Sequence, residues 1–127
     1  MKVLIIDSSK EIIQRLEEML LETGAPFKVK SALSYREGME LFHLHPPRII
    51  LLGMGMDANA AIGFLEEVRQ HSLKVNTMVL FISLPEYVKE KCSLLGVTHF
   101  IDKYRDFEVL PDLIREIMTR QLSESLQ

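Results

Sequence analysis

Six positions share a positional reason to meet: Asp7, Ser8, Gly53, Ser83, Asp102 and Lys103. Each stands at or just after the carboxyl end of a short apolar run. Asp7 and Lys103 supply a carboxylate and an ammonium, which pair as ions at the end of a sheet; such a pair contributes little net stability once desolvation is counted. Ser83 reads as a helix cap or a strand-end hydroxyl bonded to backbone. Ser8 reads as a helix N-cap, with Glu11 three residues on completing a capping box. Glycines at 53 and 55 would let a ligand approach the backbone closely. A small anion held between Lys103, Ser83 and the amides of the 53–56 loop is therefore one reading of this cluster.

The other reactive residue types are weaker candidates. His43 and His45 flank Leu44, and two histidines alone do not fill the four positions of a structural zinc site. His71 falls near a helix carboxyl end, where the dipole favours positive charge, and is expected to be exposed. Cys92 shares a helical face with Val88 and Leu95, so it is read as a small core residue. Met54 and Met56 are read as packing their loop against the sheet. The chain contains neither GxGxxG nor GxxxxGK[ST], which argues against a nucleotide enzyme.

The elements that must position these residues follow from periodicity. Apolar runs at 2–7, 48–53 and 77–83 suit strands buried on both faces, and 97–102 reads as a further strand. Residues 27–31 alternate and suit a half-exposed strand. Between the strands lie amphipathic stretches. Ile12, Ile13, Leu16, Met19 and Leu20 mark one, stopped by Gly24. Ser34 and Glu37 open a second, ended at His45 by Pro46 and Pro47. Ile62, Leu65 and Val68, with Phe64 alongside, mark a third. Pro85 opens a fourth, with Gly96 as its stop. Leu110, Leu113, Ile114, Ile117 and Met118 mark a fifth. Five strand–helix units predict a flavodoxin-like (βα)5 fold, a doubly wound parallel five-stranded sheet with helices on both faces. Such sheets place a site outside the carboxyl ends of their strands. Residues 1–121 are expected to form this domain and 122–127 a polar tail.

On LIIDSS, PPRIILLG, VLFIS and GVTHFIDK, the chain resembles the receiver domains of two-component response regulators. The resemblance implies an acidic pair after strand one, a phosphate-accepting aspartate ending strand three, a hydroxyl residue ending strand four and a lysine ending strand five. Asp7 matches the first acid, Ser83 the hydroxyl and Lys103 the lysine. Phe100 matches the aromatic switch position. Ser8 stands where the second acid is expected and Gly53 where the accepting aspartate is expected. Tyr104 replaces the proline that often follows the lysine, and Asp57 sits where a loop proline is usual.

Phosphoryl transfer to protein needs a carboxylate in line with phosphorus, and glycine supplies none. Magnesium favours octahedral oxygen ligation from carboxylates and phosphate, and only Asp7 survives of the expected acids. The chain is accordingly expected to be a pseudo-receiver without enzyme activity, cofactor or tightly held metal. It would work by protein–protein contact in or beside a phosphorelay. The face that receivers use corresponds to residues 86–104 and 111–121, and offers Glu86, Tyr87, Lys89, Glu90, Tyr104 and Arg115. A histidine kinase, an output domain or another regulator is the expected partner, and a homodimer is left open. The alternative is a receiver still phosphorylated at a displaced acceptor, Asp57 or Ser8, or the anion-binding domain described above.

Composition sets the outer bounds. The chain has 127 residues, one domain's worth. It is 47% hydrophobic and 26% charged, which excludes a disordered chain. Lys plus Arg is 15 against 18 for Asp plus Glu, and the net charge of −3 argues against a nucleic-acid or anionic-membrane surface. One cysteine, no signal-peptide pattern and no apolar run long enough to span a bilayer make a cytoplasmic location the expectation.

Overall fold

A computed structural model describes residues 1–55, 57–72 and 74–126. Strands and helices alternate along the chain: β1 (Lys2–Ile6), α1 (Lys10–Glu22), β2 (Lys28–Ala32), α2 (Tyr35–Leu44), β3 (Ile49–Gly53), α3 (Ala58–His71), β4 (Asn76–Phe81), α4 (Glu86–Leu94), β5 (Val97–Asp102) and α5 (Leu110–Leu126), with a 3-10 turn at Phe107–Val109 before α5. All four strand pairings are parallel and the strand order is β2-β1-β3-β4-β5. This is the predicted flavodoxin-like (βα)5 sheet.

The side-chain pattern explains the layering. Every residue of β3 is buried, as a central parallel strand requires. Alternate residues of the sheet feed two cores. Leu4, Ile6, Ile50, Leu52 and Val79 pack under Phe42 of α2, Phe64 and Leu65 of α3, and Val88 and Cys92 of α4. Val3, Ile5, Ile49, Leu51 and Met78 pack under Leu16 and Leu20 of α1 and Ile114 and Ile117 of α5. Helices α2, α3 and α4 therefore cover one face, and α1 and α5 the other. The α3 stripe of Ile62, Leu65 and Val68 is buried as its spacing predicts, and Cys92 is a core residue. Strand β2 lies at an edge and alternates exposed and half-buried positions over Lys28–Ser31. Gly24 and Gly96 end their helices at φ 73° and 93°, a left-handed conformation that only glycine adopts cheaply.

Four expectations shift. The N-cap of α1 is Ser9, not Ser8: the Ser9 hydroxyl accepts from Ile12 N, and Ser8 is exposed in a bend. Strand β4 stops at Phe81, so Ser83 lies in an exposed turn rather than on the strand. Pro85 immediately precedes α4 instead of standing inside its first turn. Helix α5 continues to Leu126, so the stretch expected as a polar tail has helical backbone up to that residue. Met54 is buried as expected, and Met56 lies outside the described residues. Among the described residues, no helix is long and apolar enough to cross a membrane.

Candidate functional site

The parallel sheet brings the ends of β1, β3 and β5 to one edge, and backbone hydrogen bonds carry the strand ladders one residue further. Asp7 N donates to Ala32 O at 3.1 Å, Met54 N to Leu80 O at 2.8 Å and Lys103 N to Phe81 O at 2.8 Å. These bonds fix where the side chains of Asp7 and Lys103 start, and the two meet across the edge. Lys103 Nζ donates to Asp7 Oδ2 at 2.9 Å, with only 8% and 4% of the two side chains exposed. The other carboxylate oxygen, Oδ1, accepts from Ser9 N at 2.9 Å. Asp7 thus closes the turn into α1 and neutralises a buried ammonium, the structural ion pair that the sequence predicts.

Gly53 lies beneath this pair. A Cβ built there would fall 2.8 Å from Asp7 Cγ, closer than real side chains pack, and 3.0 Å from the Ile6 carbonyl oxygen, tighter than most of them do. The Asp7 carboxylate therefore occupies the space that a side chain at position 53 would need. A Cβ at Gly55 would lie 3.8 Å from Lys103 Nζ, so the lysine lies alongside the loop after β3. Tyr35, the first residue of α2, donates its hydroxyl to the Gly53 carbonyl at 2.7 Å. Burial, reinforced by the negative charges of Asp7 and Asp57, raises the Tyr35 phenol far above its usual pKa, so it remains a donor. Sequence reading missed Tyr35. The available signal was positional, since it follows the carboxyl end of β2, on the same sheet edge.

The remaining candidates fall around this centre. Ser8 and Ser83 are both exposed and lie outside the Asp7–Lys103 contact. Asp57 caps α3, its Oδ1 accepting from Asn59 N at 2.9 Å. Asp102 shapes the turn that aims Lys103 inward: its Oδ1 accepts from Tyr104 N at 2.8 Å and Arg105 N at 3.1 Å. Those amide donors hold its carboxyl below the usual aspartate range. Phe100 is half-buried, and Lys89 Nζ stands 5.4 Å from the centre of its ring, a cation–π contact between β5 and α4. On α4, Glu86, Tyr87, Lys89 and Glu90 are exposed. Tyr87 and Tyr104 expose 71% and 81% of their surface, and Arg115 on α5 is exposed beside Asp112 at 3.1 Å. Because α4 and α5 lie on opposite faces of the edge strand β5, these residues flank one side of the molecule.

The residues that meet at the strand ends do not fit a magnesium ion. Of positions 7, 8 and 53, only Asp7 carries a carboxylate, and both its oxygens are engaged, by an ammonium and an amide.

A five-stranded doubly wound parallel sheet with an aspartate and a lysine joined over its carboxyl edge is the arrangement expected of the receiver class. Residues 3–115 match the response regulator receiver domain family, and the chain belongs to that family. The fold is shared with the Vibrio cholerae chemotaxis protein CheY4, at 22% identity and TM-score 0.78 over 91% of this chain and 97% of that one. A CheY-like receiver domain protein from Methanospirillum hungatei superposes with TM-score 0.86 at 17% identity, covering 97% of each chain. The N-terminal domain of an uncharacterized Wolinella succinogenes protein gives 0.83 at 23% identity, covering 98% of each.

Proposed function

We propose that this receiver-family domain signals by protein–protein contact without taking up phosphate. The observation that carries the reading is the filled space above Gly53. No side chain at that position offers an attacking oxygen, and the Asp7 carboxylate, held by Lys103, stands where one would project. Lys103 already has its counter-ion, so an incoming phosphoryl group would have to compete with a buried carboxylate for it. The partner would dock on the side of the molecule built by α4, β5 and α5, through Glu86, Tyr87, Lys89, Glu90, Tyr104 and Arg115. Two exposed tyrosines among charged neighbours suit a protein interface, where tyrosine supplies apolar area with a polar tip. A cytoplasmic, non-enzymatic role in or beside a phosphorelay goes with this reading.

Incubation with acetyl phosphate and magnesium, followed by intact-mass measurement, tests it. The expected spectrum is that of the unmodified chain. A phosphate adduct on most molecules would overturn the proposal, and peptide mapping would then distinguish Asp57 from Ser8 as a displaced acceptor.

A further inference from the structure

At the opposite end of the sheet, helices α2 and α3 finish side by side. His43 lies in the last turn of α2, and His71 is the last residue of α3, one helical turn beyond Glu67. The ligand atoms of His43, Glu67 and His71 all lie within 4.8 Å of one another. His43 Nε2 stands 3.8 Å from Glu67 Oε2, and the two imidazole rings meet edge to face with centroids 4.8 Å apart. Beneath them the buried Phe42 ring contacts both, at 5.4 Å from His43 and 6.4 Å from His71.

We propose that His43, Glu67 and His71 form a binding site for a divalent late first-row transition ion of the zinc class. The donor set is two imidazoles and one carboxylate, the borderline ligands that such ions prefer over magnesium or calcium. In a tetrahedral zinc site, ligand atoms lie about 3.3 Å apart, given zinc–ligand distances near 2 Å. Side chains within 4.8 Å reach that spacing by small rotations, and His43 and Glu67 have room to make them, each side chain being close to half exposed. The setting also favours a cation. Both helices end here, and the carboxyl end of a helix carries partial negative charge. The fourth coordination position is left for water or for a donor from another molecule. Sequence spacing sets His43 only beside His45, a pair too small for a metal site. Periodicity cannot show that α3 returns beside α2 and supplies the two missing ligands.

Calorimetric titration of the full chain with zinc chloride in chelator-free buffer tests the site. The expected result is saturable binding, one ion per chain, with a dissociation constant below about 100 μM. His43→Ala and His71→Ala should each weaken it at least tenfold. Zinc should also shift the imidazole proton resonances of His43 and His71 in the unmodified protein and leave those of His45 and His99 in place. This second readout does not depend on any variant folding. Absence of saturable binding, affinity changed less than tenfold in both histidine variants, or zinc shifts centred on His45 or His99 would overturn the assignment.

Discussion

The constraint at Gly53, on the carboxyl edge of the sheet, is space. The glycine's φ is not positive, so a side chain there would meet no backbone strain. It would meet the Asp7 carboxylate and the Ile6 carbonyl. Neither can give way cheaply: the carbonyl is backbone, and the carboxylate is bonded to Ser9 N and Lys103 Nζ inside a buried pair. Gly53→Ala should therefore destabilise the fold by about 1–3 kcal/mol, the usual cost of overpacking a tight site. In a domain of this length that lowers the melting temperature by roughly 4 °C per kcal/mol. A thermal melt checks it. A melting temperature equal to or above the parent's would show that Asp7 moves aside freely. That the position is glycine is plain in the sequence. That an aspartate 46 positions away lies over it is visible only in the packing.

Among the elements, the turn from β1 into α1 shows how a motif is legible to within one residue and misread at that residue. Two serines stand in a row after Asp7, and Glu11 is three residues from Ser8, the capping-box spacing. The helix takes Ser9 as its cap because Asp7 Oδ1 accepts from Ser9 N, a turn that uses the acid and fixes where the helix begins. The competition between two local hydrogen bonds selected the register, and spacing alone does not rank them. Ser9→Ala should cost about 1 kcal/mol through loss of the bond to Ile12 N. Ser8→Ala, at an exposed position, should change stability by less than about 0.5 kcal/mol. Paired urea denaturation curves separate the two, and a larger loss for Ser8→Ala than for Ser9→Ala would make Ser8 the cap. Strand β4 repeats the lesson. The run TMVLFIS continues apolar to Ile82, but the chain leaves the sheet after Phe81, which leaves Ile82 and Ser83 exposed. Hydropathy does not mark that exit, which coincides with the end of the neighbouring strand β5 at Asp102, opposite Phe81.

At the scale of the whole molecule, parallel winding gathers strand ends at one edge and helix ends at the other. The five-unit architecture was legible because each apolar run and each amphipathic stretch agrees with it. Side-chain partnerships across the sheet edge, such as Tyr35 with Gly53, were not, since they depend on which strands become neighbours. The shared edge also determines how three carboxylates could be brought together on the proposed reading. Ser8→Asp combined with Gly53→Asp places two further carboxylates beside Asp7. The new side chain at 53 needs the volume Asp7 occupies, so Asp7 must swing away and its contact with Lys103 must loosen. Like charges within a few ångströms repel, and one lysine offsets only part of that. Without metal at neutral pH, the double variant should melt below the parent, by more than Gly53→Ala alone. A divalent oxygen-seeking ion relieves the repulsion only in the folded state, where the three carboxylates are together, so magnesium should raise the melting temperature of the variant. The parent has one engaged carboxylate at this point and should melt at the same temperature with or without millimolar magnesium. Thermal melts of both proteins, each with and without the ion, give the four temperatures required. Equal stabilisation of parent and variant would mean that Asp7 and its neighbours already hold the metal, and that the ion pair with Lys103 does not close the site.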